Sequence, residues 1–146
     1  MKRLFDIVFS AALIVLISPV YLLVALWISV DSSGGVIFRQ KRVGLSGKEF
    51  SILKFRTMRP DDGLQLQITV GSRDARITRA GYWLRRYKMD ELPQLFNVLI
   101  GDMSVVGPRP EVPKYVAMYN ESQRVVLSVR PGITDMASLH YLKKVI

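Results

Sequence analysis

Residues 7–30 read IVFSAALIVLISPVYLLVALWISV, 24 consecutive positions without a charged side chain. At a rise of about 1.5 Å per residue, a continuous helix of this length reaches across the hydrocarbon core of a bilayer, so the run places the chain at a membrane. It is longer than the apolar segment of a secretory signal, and no small-residue cleavage pattern follows it. Ser18-Pro19 falls near its middle. Proline has no N–H for the preceding turn and its ring crowds the carbonyl four residues back, so a kink or break is expected there. Lys2, Arg3 and Asp6 precede the run, and the rest of the 21 basic and 12 acidic residues follow it. Basic flanks favour the cytoplasmic side. A re-entrant helix-break-helix satisfies both flanks and a single kinked span satisfies one, yet kinked helices do cross membranes, so these residues leave both topologies open.

Beyond the run, Asp31-Ser32-Ser33-Gly34-Gly35 is a turn-rich exit. Val36-Ile37-Phe38 and residues 50–55 read as extended segments on either side of Gly44-Leu45-Ser46-Gly47, which predicts a hairpin. Pro60-Asp61-Asp62-Gly63 marks a loop, and the stretch up to Gly71 has no periodicity that decides its state. Residues 73–88 interleave basic residues with Ile77, Tyr82, Trp83 and Leu84 in a short helical pattern. A helix led by Pro113 is predicted over residues 115–129, stopped by Arg130-Pro131-Gly132. The fold class expected is α/β and predominantly helical, with a membrane-embedded helix at residues 1–30 and one small domain at residues 31–146.

The chemistry concentrates in residues 89–110, MDELPQLFNVLIGDMSVVGPRP. On a helix, Leu92, Leu95, Phe96 and Leu99 form an apolar stripe, with Asp90, Gln94 and Asn97 on the opposite side, so Asp90 is expected to point away from the core. Pro93 suits only a first turn, which sets the helix start near Asp90. Free N–H groups and the dipole at that end would keep Asp90 ionised and help hold a phosphate. Taken alone, an Asp-Glu pair is better read as a plain helix cap and a complement to the helix dipole. Its company argues for more: Arg85, Arg86 and Lys88 precede it, and Arg109 follows between Pro108 and Pro110, which stiffen its loop. The stretch reads as a phosphate-handling site.

Cysteine is absent and His140 is the lone histidine, which excludes disulfides, thiolate metal sites and His-clustered zinc. Any metal must be held by oxygen. The net charge of +9 also fits a non-catalytic basic module on a membrane surface or a nucleic acid. However, no RNA-binding aromatic signature or recognition-helix motif is present, and anionic lipids account for the charge equally well.

Several motifs occur in order: Lys2-Arg3 with Asp6, Ser18-Pro19, Lys54-Phe55-Arg56-Thr57-Met58, Asp90-Glu91, Gly101-Asp102-Met103-Ser104, Pro108-Arg109-Pro110, and Arg130-Pro131-Gly132-Ile133-Thr134. Across essentially the whole chain this set resembles the monotopic phosphoglycosyl transferases, the bacterial sugar transferase family that starts membrane glycoconjugate synthesis. The resemblance implies a re-entrant helix broken at Ser18 and Pro19, with Lys2, Arg3 and Asp6 at the membrane interface. It also implies a cytoplasmic catalytic domain on the bacterial inner membrane. The implied reaction carries a phosphosugar from a UDP-sugar to polyprenol (undecaprenyl) phosphate and releases UMP.

In that scheme Asp90 is the nucleophile, and Glu91 holds Mg²⁺ with Asp90 sharing the ion. Arg85 and Arg109, the latter with Pro108 and Pro110, lie near the substrate, and Lys54 and Arg130 are weaker candidates for substrate contact. Inner-membrane lipids are implied partners, nucleic acid is not, and a homodimer is compatible with the scheme. The chain departs from the common pattern at Lys88, where Ser or Thr is frequent, and at Asp135-Met136-Ala137-Ser138, where Gly-Trp-Ala-Gln is common. The resemblance therefore does not assign the sugar. Because the chain stops at Ile146 after Lys143-Lys144, it is also expected to be shortened at its C-terminus relative to the family.

Overall fold

An uncharged run deprived of water must satisfy its backbone internally. In the computed structural model, which describes residues 1–59 and 74–135, it does so as helix α1, Lys2–Asp31, with Pro19 inside it. Among the described residues α1 is the one helix long and apolar enough to cross a membrane. Strands β1 (Ile37–Val43) and β2 (Glu49–Phe55) pair as the predicted hairpin. Their connection is a 3₁₀ turn, Leu45–Gly47, closed by the Gly44 N–H donating to the Lys48 carbonyl at 2.8 Å.

Helix α2 (Arg79–Arg86), a 3₁₀ turn at Met89–Glu91 and helix α3 (Gln94–Ile100) follow. Next come β3 (Ser104–Val106), α4 (Pro113–Val116), α5 (Glu121–Arg124) and β4 (Gly132–Thr134). Strands β3 and β4 pair in parallel, Ser104 opposite Gly132. The described chain is thus α/β with helix predominating, as expected. The Pro60–Gly71 stretch, Arg73, the 136–138 departure and the basic C-terminal residues lie outside the described residues.

The single helix expected over residues 115–129 is instead α4, α5 and a 3₁₀ turn at Val125–Ser128. The reason is local. Asn120 restarts the helix through a capping box, its side chain accepting from the Gln123 N–H at 2.9 Å while the Gln123 side chain accepts from the Asn120 N–H at 3.0 Å.

The chain divides into two compact units. One comprises Met1–Leu16, Arg39–Leu53 and the described residues from Gln94 onward. Its core is Ile52, Val98 and Met103, with Phe50, Val105 and Ile133 packed against them. Polar ties reinforce it. Asp6 is buried, its carboxylate accepting from the Ser104 hydroxyl at 2.8 Å and the Val105 N–H at 3.1 Å. Asn97, 1 % exposed, accepts from the Leu53 N–H at 2.9 Å and donates to the Ser51 carbonyl at 2.8 Å. The stripe predicted for α3 is therefore out of phase: Gln94, Leu95, Asn97 and Val98 face inward and Phe96 is exposed. Periodicity could not show this, because the buried Asn97 is satisfied by a strand more than 40 positions away.

The other unit comprises Ile17–Phe38 and the described residues of Lys54–Pro93. Val24 and Ile28 of α1, Phe55 of β2, and Ala80 and Leu84 of α2 form its core. The Arg56 guanidinium donates to the Ser32 and Ser33 carbonyls just past α1, and Asp31 accepts from the Ala80 N–H at 2.9 Å as α2 begins.

Gly81 of α2 lies directly on the backbone of residue 57: a Cβ there would sit 2.0 Å from the Thr57 carbonyl oxygen. Ala improves helix propensity by about 1 kcal/mol over Gly, but this clash is with backbone that cannot swing aside. Gly81→Ala is expected to destabilise the protein by about 1–3 kcal/mol net, read as a lowered thermal unfolding midpoint in detergent micelles.

Candidate active site

The Asp90-Glu91 dyad is placed by what flanks it. Helix α2 ends at Arg86, and Lys88 adopts the left-handed conformation (φ 58°), which reverses the chain into the 3₁₀ turn Met89–Glu91. In a 3₁₀ turn residues i and i+3 eclipse, so Met89 and Leu92 share a face. Both pack against the Val24–Ile28–Phe55–Ala80–Leu84 cluster. Between these two anchors Asp90 and Glu91 are each partly buried. Tyr21 of α1 adds a further tie, its hydroxyl donating to the Leu92 carbonyl at 2.6 Å.

The α-helix expected to start near Asp90 starts four residues later, at Gln94. Pro93 cannot donate to the Met89 carbonyl, and that carbonyl instead accepts from the Leu92 N–H at 3.2 Å. Asp90 does not point away from the core as expected either. Its Oδ1 is buried and, among the described residues, has no hydrogen-bond partner.

Burial pushes the Asp90 carboxyl above the usual carboxylate range; Lys54 opposes this, Glu91 adds to it, and Arg85 and Lys88 oppose it. Nearby cations, rather than the end of a helix, favour its ionised form. The Lys54 ammonium binds the Glu91 carboxylate at 2.8 Å, both side chains being about four-fifths buried. Arg85, half-buried, donates through Nε to the Thr57 hydroxyl at 2.8 Å.

Lys54, Arg85, Asp90 and Glu91 therefore share one unit, while Pro108, Arg109, Pro110 and Arg130 belong to the other. In that second group Gly107 and Gly132 meet so closely that a Cβ on Gly132 would lie 2.0 Å from the Gly107 nitrogen. The loop bearing Arg109 is pinned to β1 by Arg42 donating to the Pro110 carbonyl at 3.1 Å and by the Val43 N–H donating to the Glu111 carbonyl at 2.9 Å. Arg109 lines a shallow depression with Pro110, Val116, Tyr119 and Leu127. Arg130 donates through Nε to the Gly101 carbonyl at 3.0 Å, a structural tie just past α3.

Of the residues expected at the membrane interface, Lys2 donates to the Val106 carbonyl at 2.9 Å, Arg3 donates to the Val98 and Leu99 carbonyls at the C-terminal end of α3, and Asp6 is internal. Ser18 and Pro19 lie within α1.

The donor set suits a hard cation only if a substrate completes the shell. No cluster of three His, Cys, Asp or Glu side chains occurs among the described residues. Two adjacent carboxylates, one with an unengaged buried oxygen, match the way Mg²⁺ is held by one or two carboxylates plus phosphate oxygens. Sequence reasoning missed Thr57 and Tyr21 as residues touching this site. The tyrosine of the uncharged run, the one hydroxyl there on a long side chain, was the available signal for the second.

Replacing Lys54 removes the charge that does most to hold the Asp90 carboxyl down, so its titration must move to higher pH. In Lys54→Met, ¹³C NMR of the carboxyl group in EDTA is expected to show that upward displacement relative to wild type, while Lys48→Met leaves the titration in place.

The family model described as bacterial sugar transferase matches residues 1–146. The chain is 42% identical over 146 residues to the UDP-glucose:undecaprenyl-phosphate glucose-1-phosphate transferase of Klebsiella pneumoniae, covering 95% of this chain and 30% of that protein. It is 42% identical over 146 residues to the undecaprenyl-phosphate glucose phosphotransferase of Komagataeibacter xylinus, covering 95% and 27%. To the exopolysaccharide production protein PSS of Rhizobium leguminosarum bv. phaseoli it is 41% identical over 155 aligned positions, covering 98% and 75%. The chain spans less than a third of the length of the first two relatives. With the family match running through α1, the dyad's turn and the Pro-Arg-Pro loop alike, the chain belongs to the bacterial sugar transferase family.

Proposed function

We propose that this protein transfers a phosphosugar from a UDP-sugar to polyprenol phosphate through a covalent aspartyl intermediate on Asp90. The observation that carries the reading is the half-buried Asp90 itself. Its turn is anchored on both sides, one carboxylate oxygen is buried without a partner, and Lys54, Arg85 and Lys88 supply the surrounding positive field. The names of two relatives supply the substrate class, so UDP-glucose is the first donor to test and undecaprenyl phosphate the first acceptor.

In the first step an Asp90 carboxylate oxygen bonds to the sugar-bearing phosphorus. The bond from that phosphorus to the bridging oxygen breaks, and UMP leaves with the electron pair. In the second step a phosphate oxygen of the polyprenol phosphate attacks the same phosphorus. The acyl-phosphate bond breaks, regenerating the carboxylate and giving a polyprenyl diphosphate sugar. Arg85 grips donor phosphate oxygens, and Lys54 steadies Glu91. Glu91, with Asp90, would hold Mg²⁺, which when bound offsets negative charge on phosphate oxygens.

The same reading makes α1 a re-entrant helix interrupted at Ser18-Pro19 and puts residues 31–146 on the cytoplasmic face of the bacterial inner membrane. The exposed Leu16, Leu22, Leu23 and Val30 of α1 suit a lipid surround.

With the chain in nanodiscs, UMP release from a panel of UDP-sugars with and without Mg²⁺ tests the reaction. Wild type is expected to turn over only with the ion present, and Asp90→Asn to lose about three orders of magnitude or more. Without acceptor, intact mass spectrometry is expected to show a phosphosugar adduct on wild type and none on Asp90→Asn. Full turnover by Asp90→Asn overturns the covalent route, and no UMP from any donor favours a non-catalytic module.

A further inference from the structure

Thr57 is 8 % exposed and fixed from three sides. Its carbonyl accepts from the Thr78 N–H at 3.1 Å. The Thr78 side chain in turn caps α2 by accepting from the Gly81 N–H at 2.9 Å. Gly81 then seats the helix on the Thr57 backbone without an intervening side chain. Residue 85 lies one helical turn after residue 81 and on the same face, so its side chain returns to residue 57. The contact made there is specific: Arg85 Nε donates to Thr57 Oγ1 at 2.8 Å.

A threonine side chain is stiff at χ1, and a guanidinium bonded through Nε has the direction of that N–H fixed, which restricts where its two terminal amino groups can point. Its two terminal amino groups form the planar fork that matches two phosphate oxygens. Among the described residues those amino groups donate to nothing, and the one acidic side chain on the α2 approach, Asp74, is already bound by Arg76 through its Nε at 3.0 Å and its terminal nitrogen at 2.6 Å. Thr57 itself faces neither Asp90 nor Glu91 in any hydrogen bond, so whatever it does for the reaction it does through Arg85.

We propose that Thr57 is a positioning residue for donor recognition: its hydroxyl orients the Arg85 guanidinium so that both terminal amino groups meet the diphosphate of the nucleotide sugar. The proposal rests on the functional reading above for the identity of the ligand, but not on a nucleophilic Asp90.

UDP binding, measured calorimetrically with Mg²⁺ on the full chain in nanodiscs, separates the two. The comparison uses wild type, Thr57→Val, Thr57→Ser, Arg85→Gln and Thr57→Val/Arg85→Gln. Thr57→Val keeps the shape and removes the acceptor; it is expected to weaken UDP about tenfold, as is Arg85→Gln. Thr57→Ser, which keeps the hydroxyl, is expected to stay within about twofold of wild type, and the double variant within about twofold of Arg85→Gln alone. Wild-type affinity in Thr57→Val, an undiminished Thr57→Val loss in the Arg85→Gln background, or no UDP binding by wild type each overturns the proposal. If Thr57→Val does not fold, Thr57→Ala run through the same cycle decides by the same outcomes. Active Asp90→Asn with an intact binding cycle would end the covalent route and leave Thr57 in its role, and the converse pattern would do the opposite.

Discussion

Met89 and Leu92, one 3₁₀ turn apart, are held by the same apolar cluster, and the geometry of the dyad follows from that constraint. With both flanks anchored, Asp90 and Glu91 can be brought half into the protein without being lost in it. The partial burial costs the Asp90 carboxylate solvation, and three cations return part of that stabilisation. A carboxylate on a freely solvated helix surface would be better hydrated, and hydration is what a nucleophile must shed before it can bond to phosphorus. The cluster that fixes the turn is supplied partly by Val24 and Ile28 of the apolar N-terminal helix. The residues that read as membrane sequence are therefore also the wall against which the candidate site is built.

Buried polar side chains supply the specificity that apolar packing alone does not. Asp6, Arg56 and Asn97 each satisfy backbone groups far away in sequence. An unsatisfied buried donor or acceptor costs about 1–3 kcal/mol, so each of these ties penalises any alternative register. The two glycines that allow the closest backbone approaches, Gly81 on residue 57 and Gly132 on Gly107, work in the same direction by removing the side chain that would hold the segments apart.

Much of this was legible in the sequence. The hairpin appeared because two extended runs flank a glycine-bounded turn, and Asp90-Glu91 stood out as a candidate from the crowding of opposite charge around it. The family resemblance is borne out over residues 1–146. What misled was periodicity near a proline. The i, i+3, i+4 pattern put Phe96 inside and Asn97 outside, and the structure reverses both, since α3 begins only at Gln94 and Asn97 is taken up by β2. The strands Ser104–Val106 and Gly132–Thr134 are too short for alternation to register, and the capping box at Asn120 divided what looked like one helix.

Residue order alone determined that an uncharged helix precedes a basic α/β region, that any metal must take oxygen ligands, and which carboxylates and arginines are the candidates for the chemistry. These depend on side-chain type and on neighbours within a few positions. The tertiary structure alone decided that Lys54 pairs with Glu91 across 37 positions, that Arg85 donates to the Thr57 hydroxyl across 28, and that Tyr21 reaches the carbonyl of Leu92 across 71. Such contacts depend on where distant segments come to rest, which is a property of the packed core as a whole and not of any local pattern.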